Sequence, residues 1–281
     1  MNREPGNVMS VDVEDWFTVE NMRGIIPRQD WEKLESRVEA NVLRLLDLFA
    51  SRGVEATFFV LGWIADRHPD LVGEIARRGH EVATHGYSHN MLTRMTPEEF
   101  ASDLDQSLAA LARGCSAPVL GFRAPTFSVT RRTMWATEVL HAHGLRYDSS
   151  VFPIGFHPDY GIGDAPLAPH RYDNGLWELP MSCAEIAGRR IPCSGGGYFR
   201  LLPYRATRLL MRRCNAQGRP VVFYLHPWEI DPAQPRVRAL PALKRFRHYN
   251  NLDRMYGRLE RLLDDFRFTS ARKWLGLEPP A

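Results

Sequence analysis

The stretch Glu81-Val82-Ala83-Thr84-His85-Gly86-Tyr87-Ser88-His89 decides how this chain is read. Its first half has the profile of a buried strand. Its second half sets two imidazoles four residues apart, just past the strand end. A helical turn starting at His85 would put both rings on one face, where they could grip one metal ion. A catalytic metal site also needs an acidic ligand, an open position for water and acid/base groups nearby.

Those partners recur at other strand ends. Val8 to Val13 is apolar and runs into Asp12, Glu14, Asp15 and Trp16. The uninterrupted run Ala56 to Gly62 reads as a strand buried on both faces. Val119 to Phe122 hands over Arg123, Leu145 to Tyr147 hands over Asp148, and Val221 to Leu225 hands over His226. Helical periodicity fills the intervals: Trp31 to Phe49, a short helix around Leu71 to Ala76, and Thr133 to His143. Thr96, Pro97 and Glu99 spell a helix start with a capping box. A further helix opens near Pro203, after a turn at Gly195-Gly196-Gly197, and an amphipathic one covers Leu252 to Phe266. This alternation predicts an α/β fold in one domain, a distorted (β/α)7-type barrel of parallel strands. Catalytic groups of such barrels collect at the C-terminal strand ends. Any one strand-end Asp is usually a helix cap and any one buried His is usually structural. Five such groups at successive strand ends point together to a site.

Composition excludes other classes. The 281 residues carry 36 Lys+Arg against 33 Asp+Glu, a net charge of +3 too balanced for a nucleic-acid partner. No stretch approaches the roughly 20 apolar residues of a transmembrane segment. Val8 to Val13 is broken by Asp12 well short of a secretory signal, so a cytoplasmic protein is expected. The four cysteines form no CxxC pair and read as reduced structural thiols.

The order of acidic strand end, HGYSH, RAPTF, strand-end Asp and YLH resembles the polysaccharide deacetylases of carbohydrate esterase family 4, the NodB-homology domain, over about residues 8–228. VDVEDWF, GGGYFRLLPY and the tail FRHYNNLDRMYGRLERLL are similar to the subgroup found at exosortase-associated exopolysaccharide loci, whose C-terminal extension would be about 229–281 here. The resemblance implies a metal-dependent hydrolase that removes N-acetyl groups from the amino sugars of a polysaccharide, or of its lipid-linked precursor at an inner-membrane assembly complex. It implies a divalent cation, zinc in most of the family, held by His85, His89 and one carboxylate. A second carboxylate would be the base, Arg123 its partner, and His226 the acid, with Asp148 orienting His226.

The three acids permit two registers. Adjacent acids make Glu14 the base and Asp15 the ligand; alternating acids make Asp12 the base and Glu14 the ligand. The reading adopted is Asp12 as base and Asp15 as ligand, with Glu14 also in the catalytic set. The third motif departs from the family, because Thr126 separates Pro125 from Phe127. Trp16, Pro125, Phe127, Asp148, Tyr198 and Trp228 are candidate substrate contacts, and the Pro/Gly-rich loop 149–175, with Phe152, Phe156, His157 and Tyr160, is a candidate lid. Two competing functions remain: a metal-independent hydrolase of a small cyclic amide or imide, and a non-catalytic glycan-binding component of an exopolysaccharide assembly system. Sensitivity to a chelator separates the first, and binding without a deacetylated product would mark the second.

Overall fold

The computed structural model describes residues 6–155, 157 and 160–277. Its strands are β1 (Asn7–Val13), β2 (Thr57–Val60), β3 (Glu81–Thr84), β4 (Gly121–Phe122), β5 (Tyr147–Asp148), β6 (His170–Arg171), β7 (Trp177–Glu178), the hairpin pair β8 (Cys183–Ile186) and β9 (Arg189–Pro192), β10 (Val222–Leu225) and β11 (Phe268–Thr269). The main sheet has the order β10-β1-β2-β3-β4-β5-β7-β6, with β11 beside the start of β1. Every pairing from β10 to β7 is parallel, which gives the seven parallel strands expected, and β6 adds an antiparallel edge.

The sheet curls into an open, distorted (β/α)7 barrel. β1, β2, β3 and β10 are buried along their whole length, as strands covered by helices must be. Between β7 and β10 the barrel is bridged by a side chain, the Ser182 hydroxyl accepting the Val222 N–H at 2.9 Å. Arg123 fills the interior with no exposed surface, its guanidinium 4.1 Å over the Phe59 ring.

The helices are α1 (Val38–Ser51), α2 (Gly62–Arg67), α3 (Pro69–Arg77), α4 (Pro97–Ala112), α5 (Ala136–Ala142), α6 (Gly196–Leu201), α7 (Tyr204–Ala216), α8 (Ala242–Tyr249), α9 (Leu252–Asp265) and α10 (Ala271–Leu275). α1 buries Val38, Val42, Leu45, Leu46 and Phe49, each contributing about 1.5–3 kcal/mol. Leu45→Ala would cost about 2–5 kcal/mol. At α4 the capping box forms as read: Thr96 Oγ1 accepts the Glu99 N–H at 3.2 Å and Glu99 Oε2 accepts the Thr96 N–H at 2.8 Å.

Three expectations change. The helix read from Trp31 begins only at Val38, after a 3-10 turn at Arg28–Lys33, because a carboxylate from outside the helix binds its first amides. The glycines at 195–197 do not end as a free turn but open α6, with Gly195 at φ +106°. The loop 149–175 is no simple lid. Ser149 to Phe152 and Ile154 are buried, and Phe152 and Ile154 belong to the core. Phe156 lies outside the described residues.

Candidate active site

Glu14 follows the last residue of β1 and points, with Asp12, to the inner face, as residues two apart on a strand must. Glu14 Oε1 lies 3.0 Å from His85 Nε2 and 3.0 Å from His89 Nε2. All three side chains are buried, and their ligand atoms lie within 4.8 Å of one another. His85 Nδ1 donates to the Arg123 carbonyl at 2.8 Å, which leaves Nε2 of a neutral ring as a lone pair aimed at a carboxylate oxygen. His89 Nε2 is out of alignment with Glu14 and has no hydrogen-bond partner although buried. Two imidazole nitrogens and a carboxylate oxygen thus converge on one point. The donor set of two imidazoles and a carboxylate fits a divalent ion.

The imidazole pair is held by a loop, not by the helical turn expected. Gly86 has φ +70° and His89 φ +55°, a left-handed conformation that ordinary side chains seldom adopt. The loop is clamped from α4. Asp103 accepts the Tyr87 N–H at 2.7 Å and the Ser88 N–H at 3.0 Å, and Ser107 Oγ donates to the Gly86 carbonyl at 3.0 Å. A Cβ on Gly86 would come within 3.0 Å of Asp103 Oδ2. The sequence reading missed Asp103 and Ser107. Their signal was two polar residues on the inward side of an otherwise apolar helix face.

Asp15, expected as the metal ligand, is elsewhere. Its Oδ2 accepts the N–H groups of Arg37 at 2.8 Å and Val38 at 3.2 Å and the Ser36 hydroxyl at 2.8 Å, while Oδ1 accepts the Trp16 N–H at 2.8 Å. Three residues from Asp12, it falls on the other face of a period of two, and it caps α1 instead. Glu14 takes the position beside the imidazoles. Burial opposes its charge, but the neighbouring His89 and His226 outweigh it and hold its carboxyl well below the usual range.

Asp12 pairs with Arg123 at 2.6 Å, where the guanidinium also donates to Ser10 Oγ at 2.9 Å and to the Ser149 carbonyl at 3.0 Å. His226 enters from β10, its Nε2 3.8 Å from Glu14 Oε1 and 4.0 Å from Asp12 Oδ2. Burial lowers the pKa of His226, but Glu14, the bond to Glu229 and Asp12 outweigh it and raise it to about 9. Asp148 does not orient this ring. It lies on β5, accepts from the Ser150 hydroxyl and neighbours Glu178 on β7. Burial pushes Asp148 up to about 6. The ring is held by Glu229, whose Oε2 accepts His226 Nδ1 at 3.2 Å and the His226 N–H at 2.9 Å. Burial would raise Glu229, yet Arg200 and His226 lower it to about 2. Glu229 was legible three residues beyond His226, at the spacing of a capping box.

The aromatic candidates are mostly covered. Trp16 is core, edge-on to Phe17 at 5.3 Å. Phe127 is buried against Tyr224 at 4.7 Å, and Pro125 is buried beside it, with φ near +55° at both Thr126 (56°) and Phe127 (51°). Trp228 has both faces occupied, by His226 at 5.2 Å and by His248 at 4.3 Å. Only Tyr198 is half-buried, against Phe152 at 6.3 Å.

Comparison with known proteins agrees with this architecture. A family model for polysaccharide deacetylases matches residues 33–147, and a domain of unknown function, DUF3473, matches residues 149–276. The seam falls at β5, so both stretches build one sheet. The chain is 31% identical over 128 residues to a peptidoglycan deacetylase of Helicobacter pylori, covering 45% of this chain and 43% of that one. It is 39% identical over 72 residues to a chitooligosaccharide deacetylase of Rhizobium leguminosarum bv. trifolii, covering 26% and 34%. The chain thus spans less than half the length of the curated relatives it matches. A crystal structure from Mycobacterium smegmatis, provisionally described as a polysaccharide deacetylase, shares the fold with TM-score 0.60 and 19% identity, over 100% of this chain and 96% of that one.

Proposed function

We propose that the chain, whose residues 33–147 match a family model for polysaccharide deacetylases, is a metal-dependent hydrolase releasing acetate from N-acetylated amino sugars of a glycan. The observation that carries this reading is the convergence of His85 Nε2, His89 Nε2 and Glu14 Oε1, with the buried His89 nitrogen left without a partner. These three residues would hold the cation, and two imidazoles with one carboxylate and no thiolate suit zinc. When bound, the ion lowers the pKa of a water towards roughly 7 and polarises the acetamide carbonyl.

The chain's own groups divide the proton traffic. Asp12, kept in place by the charge-assisted bond from Arg123, accepts the proton of the attacking water. His226 gives a proton from Nε2 to the departing amine, and Glu229 fixes its tautomer by accepting from Nδ1. Ser10 and Ser149 restrain Arg123 and so keep Asp12 from swinging out of reach.

The substrate is read as an exopolysaccharide chain or its lipid-linked precursor, on the strength of the subgroup resemblance in VDVEDWF and the tail. No helix among the described residues is long and apolar enough to cross a membrane, and a cytoplasmic site at an inner-membrane assembly complex is the setting proposed. The whole of residues 1–281 is read as one domain, since β1, β5 and β10 share one sheet.

The test is amine release from an N-acetylglucosamine oligomer together with metal content per chain. Wild type should lose activity with a chelator and regain it with zinc, and His85→Ala and His89→Ala should lose both metal and activity. Full activity in metal-free protein would overturn the reading in favour of metal-independent amide hydrolysis.

A further inference from the structure

Arg200 is a cation with 2% of its surface exposed, and it does not reach the proposed metal ligands. Its Nε donates to Glu229 Oε1 at 2.9 Å. The rest of the guanidinium is taken up by backbone carbonyls of α8 and the turn after it: Nη1 by His248 at 3.1 Å and Asn250 at 2.7 Å, Nη2 by Arg247 at 3.2 Å. α6, which carries Arg200, is in turn held by the next helix and its cap. Arg258 of α9 donates to the carbonyls of Phe199 at 2.7 Å and Leu202 at 3.2 Å, and Asn251 donates to the Arg200 carbonyl at 2.8 Å.

A buried ion pair of this kind is weak as a device for stability, because the desolvation of both charges offsets their attraction. Its geometry has another use. Glu229 divides its two oxygens, Oε1 to Arg200 and Oε2 to His226, so the guanidinium decides where the carboxylate that aims the imidazole can lie. Space is tight around it: a Cβ on Gly196 would fall 1.8 Å from Glu229 Oε2, which explains a glycine there. The Trp228 ring lies between the His226 and His248 rings, so α8 also backs the imidazole from behind.

From this chain of contacts, and resting on the proposed reaction, we propose that Arg200 is a positioning residue for His226 and that the α8–α9 segment, within the stretch matched by the domain of unknown function, serves to fix Arg200. The deacetylase-matched residues 33–147 supply the imidazole pair but neither His226 nor anything that holds it. The second stretch supplies both.

The test uses the full chain with Arg200→Lys, Arg200→Met and Glu229→Gln, read by kcat and KM separately, by zinc content and by the proton resonance of His226 Nδ1–H. The expected result is a fall in kcat of about 10- to 100-fold, with KM within about twofold and zinc unchanged, and a displaced or lost Nδ1–H signal. R200K should recover part of the loss relative to R200M, since it keeps the charge without the fork. Wild-type kcat in R200M, an unmoved Nδ1–H signal, or a loss of kcat that follows zinc content would overturn the proposal. Should R200M fail to fold, E229Q breaks the same link and carries the same outcomes. The resonance is read without substrate, so a chain that deacetylates nothing would sink the proposed function while leaving this test standing.

Discussion

The imidazoles at 85 and 89 and the imidazole at 226 are held by opposite kinds of partner. His85 rests on a neutral carbonyl, and its loop is clamped by a carboxylate that takes only backbone amides. His226 rests on a carboxylate that is itself paired with a buried guanidinium. A neutral acceptor leaves an imidazole free to offer its other nitrogen as a lone pair, which a metal ligand must do. An anionic acceptor favours the charged ring, which a proton donor must be. One residue type is thus steered to two tasks by what stands behind it.

The sharpest way to break that comparison is to exchange the roles of the neighbouring acids. Glu14→Gln should abolish zinc binding measured by titration calorimetry, while Asp15→Asn should bind zinc and lose about 1–2 kcal/mol of stability as a weakened helix cap. Zinc bound by Glu14→Gln and lost from Asp15→Asn would place the ligand at Asp15 after all. Next in size, Asp103→Ala frees the amides of Tyr87 and Ser88, and zinc affinity should fall about tenfold. An affinity indistinguishable from wild type would show that the left-handed loop needs no clamp.

The smallest effect lies outside both regions, at Asp148. Its folded pKa is raised by burial to about 6 from an ordinary 3.8, so the folded state holds the proton more tightly than the unfolded one. That contribution to stability is fully present below about pH 4 and is lost as pH rises through 6. The melting temperature of Asp148→Asn relative to wild type should therefore climb by about a few degrees between pH 4 and pH 7. A constant difference across that range would contradict the assignment.

The sequence carried the strands well because a strand covered on both faces is an apolar run, and the chemistry marks where the run stops. Asp12, Arg123, His85, His89 and His226 were legible for that reason. The choice of Glu14 over Asp15 was legible too, because a period of two carries Glu14 and not Asp15 to the face of Asp12, and the reading with Asp15 as ligand set that period aside. Polarity says nothing about a left-handed φ at His89, so the loop was read as a helix. Glu229 could have been found from local spacing. Arg200 could not, because its partner is 29 residues away and its other acceptors are carbonyls some 50 residues on. The hairpin β8–β9, turning at Ala187 and Gly188 with φ near +50° and +71°, hid in a stretch without the apolar/polar alternation that marks a strand pair.

The placement of β1 has a consequence for how the protein is made. This strand brings the acids, yet it pairs with β10 and β11, more than 210 residues further along, as well as with β2. A nascent chain can pair β2 with β3 early, but β1 gains its second neighbour only when β10 has left the ribosome. Contacts of such sequence separation slow folding, because the loop must be closed before the pairing rewards it. Asp12 and His226, the proposed base and acid, therefore come together last, whereas the proposed metal ligands Glu14, His85 and His89 all lie on the early strands β1 to β3 and the loop after them.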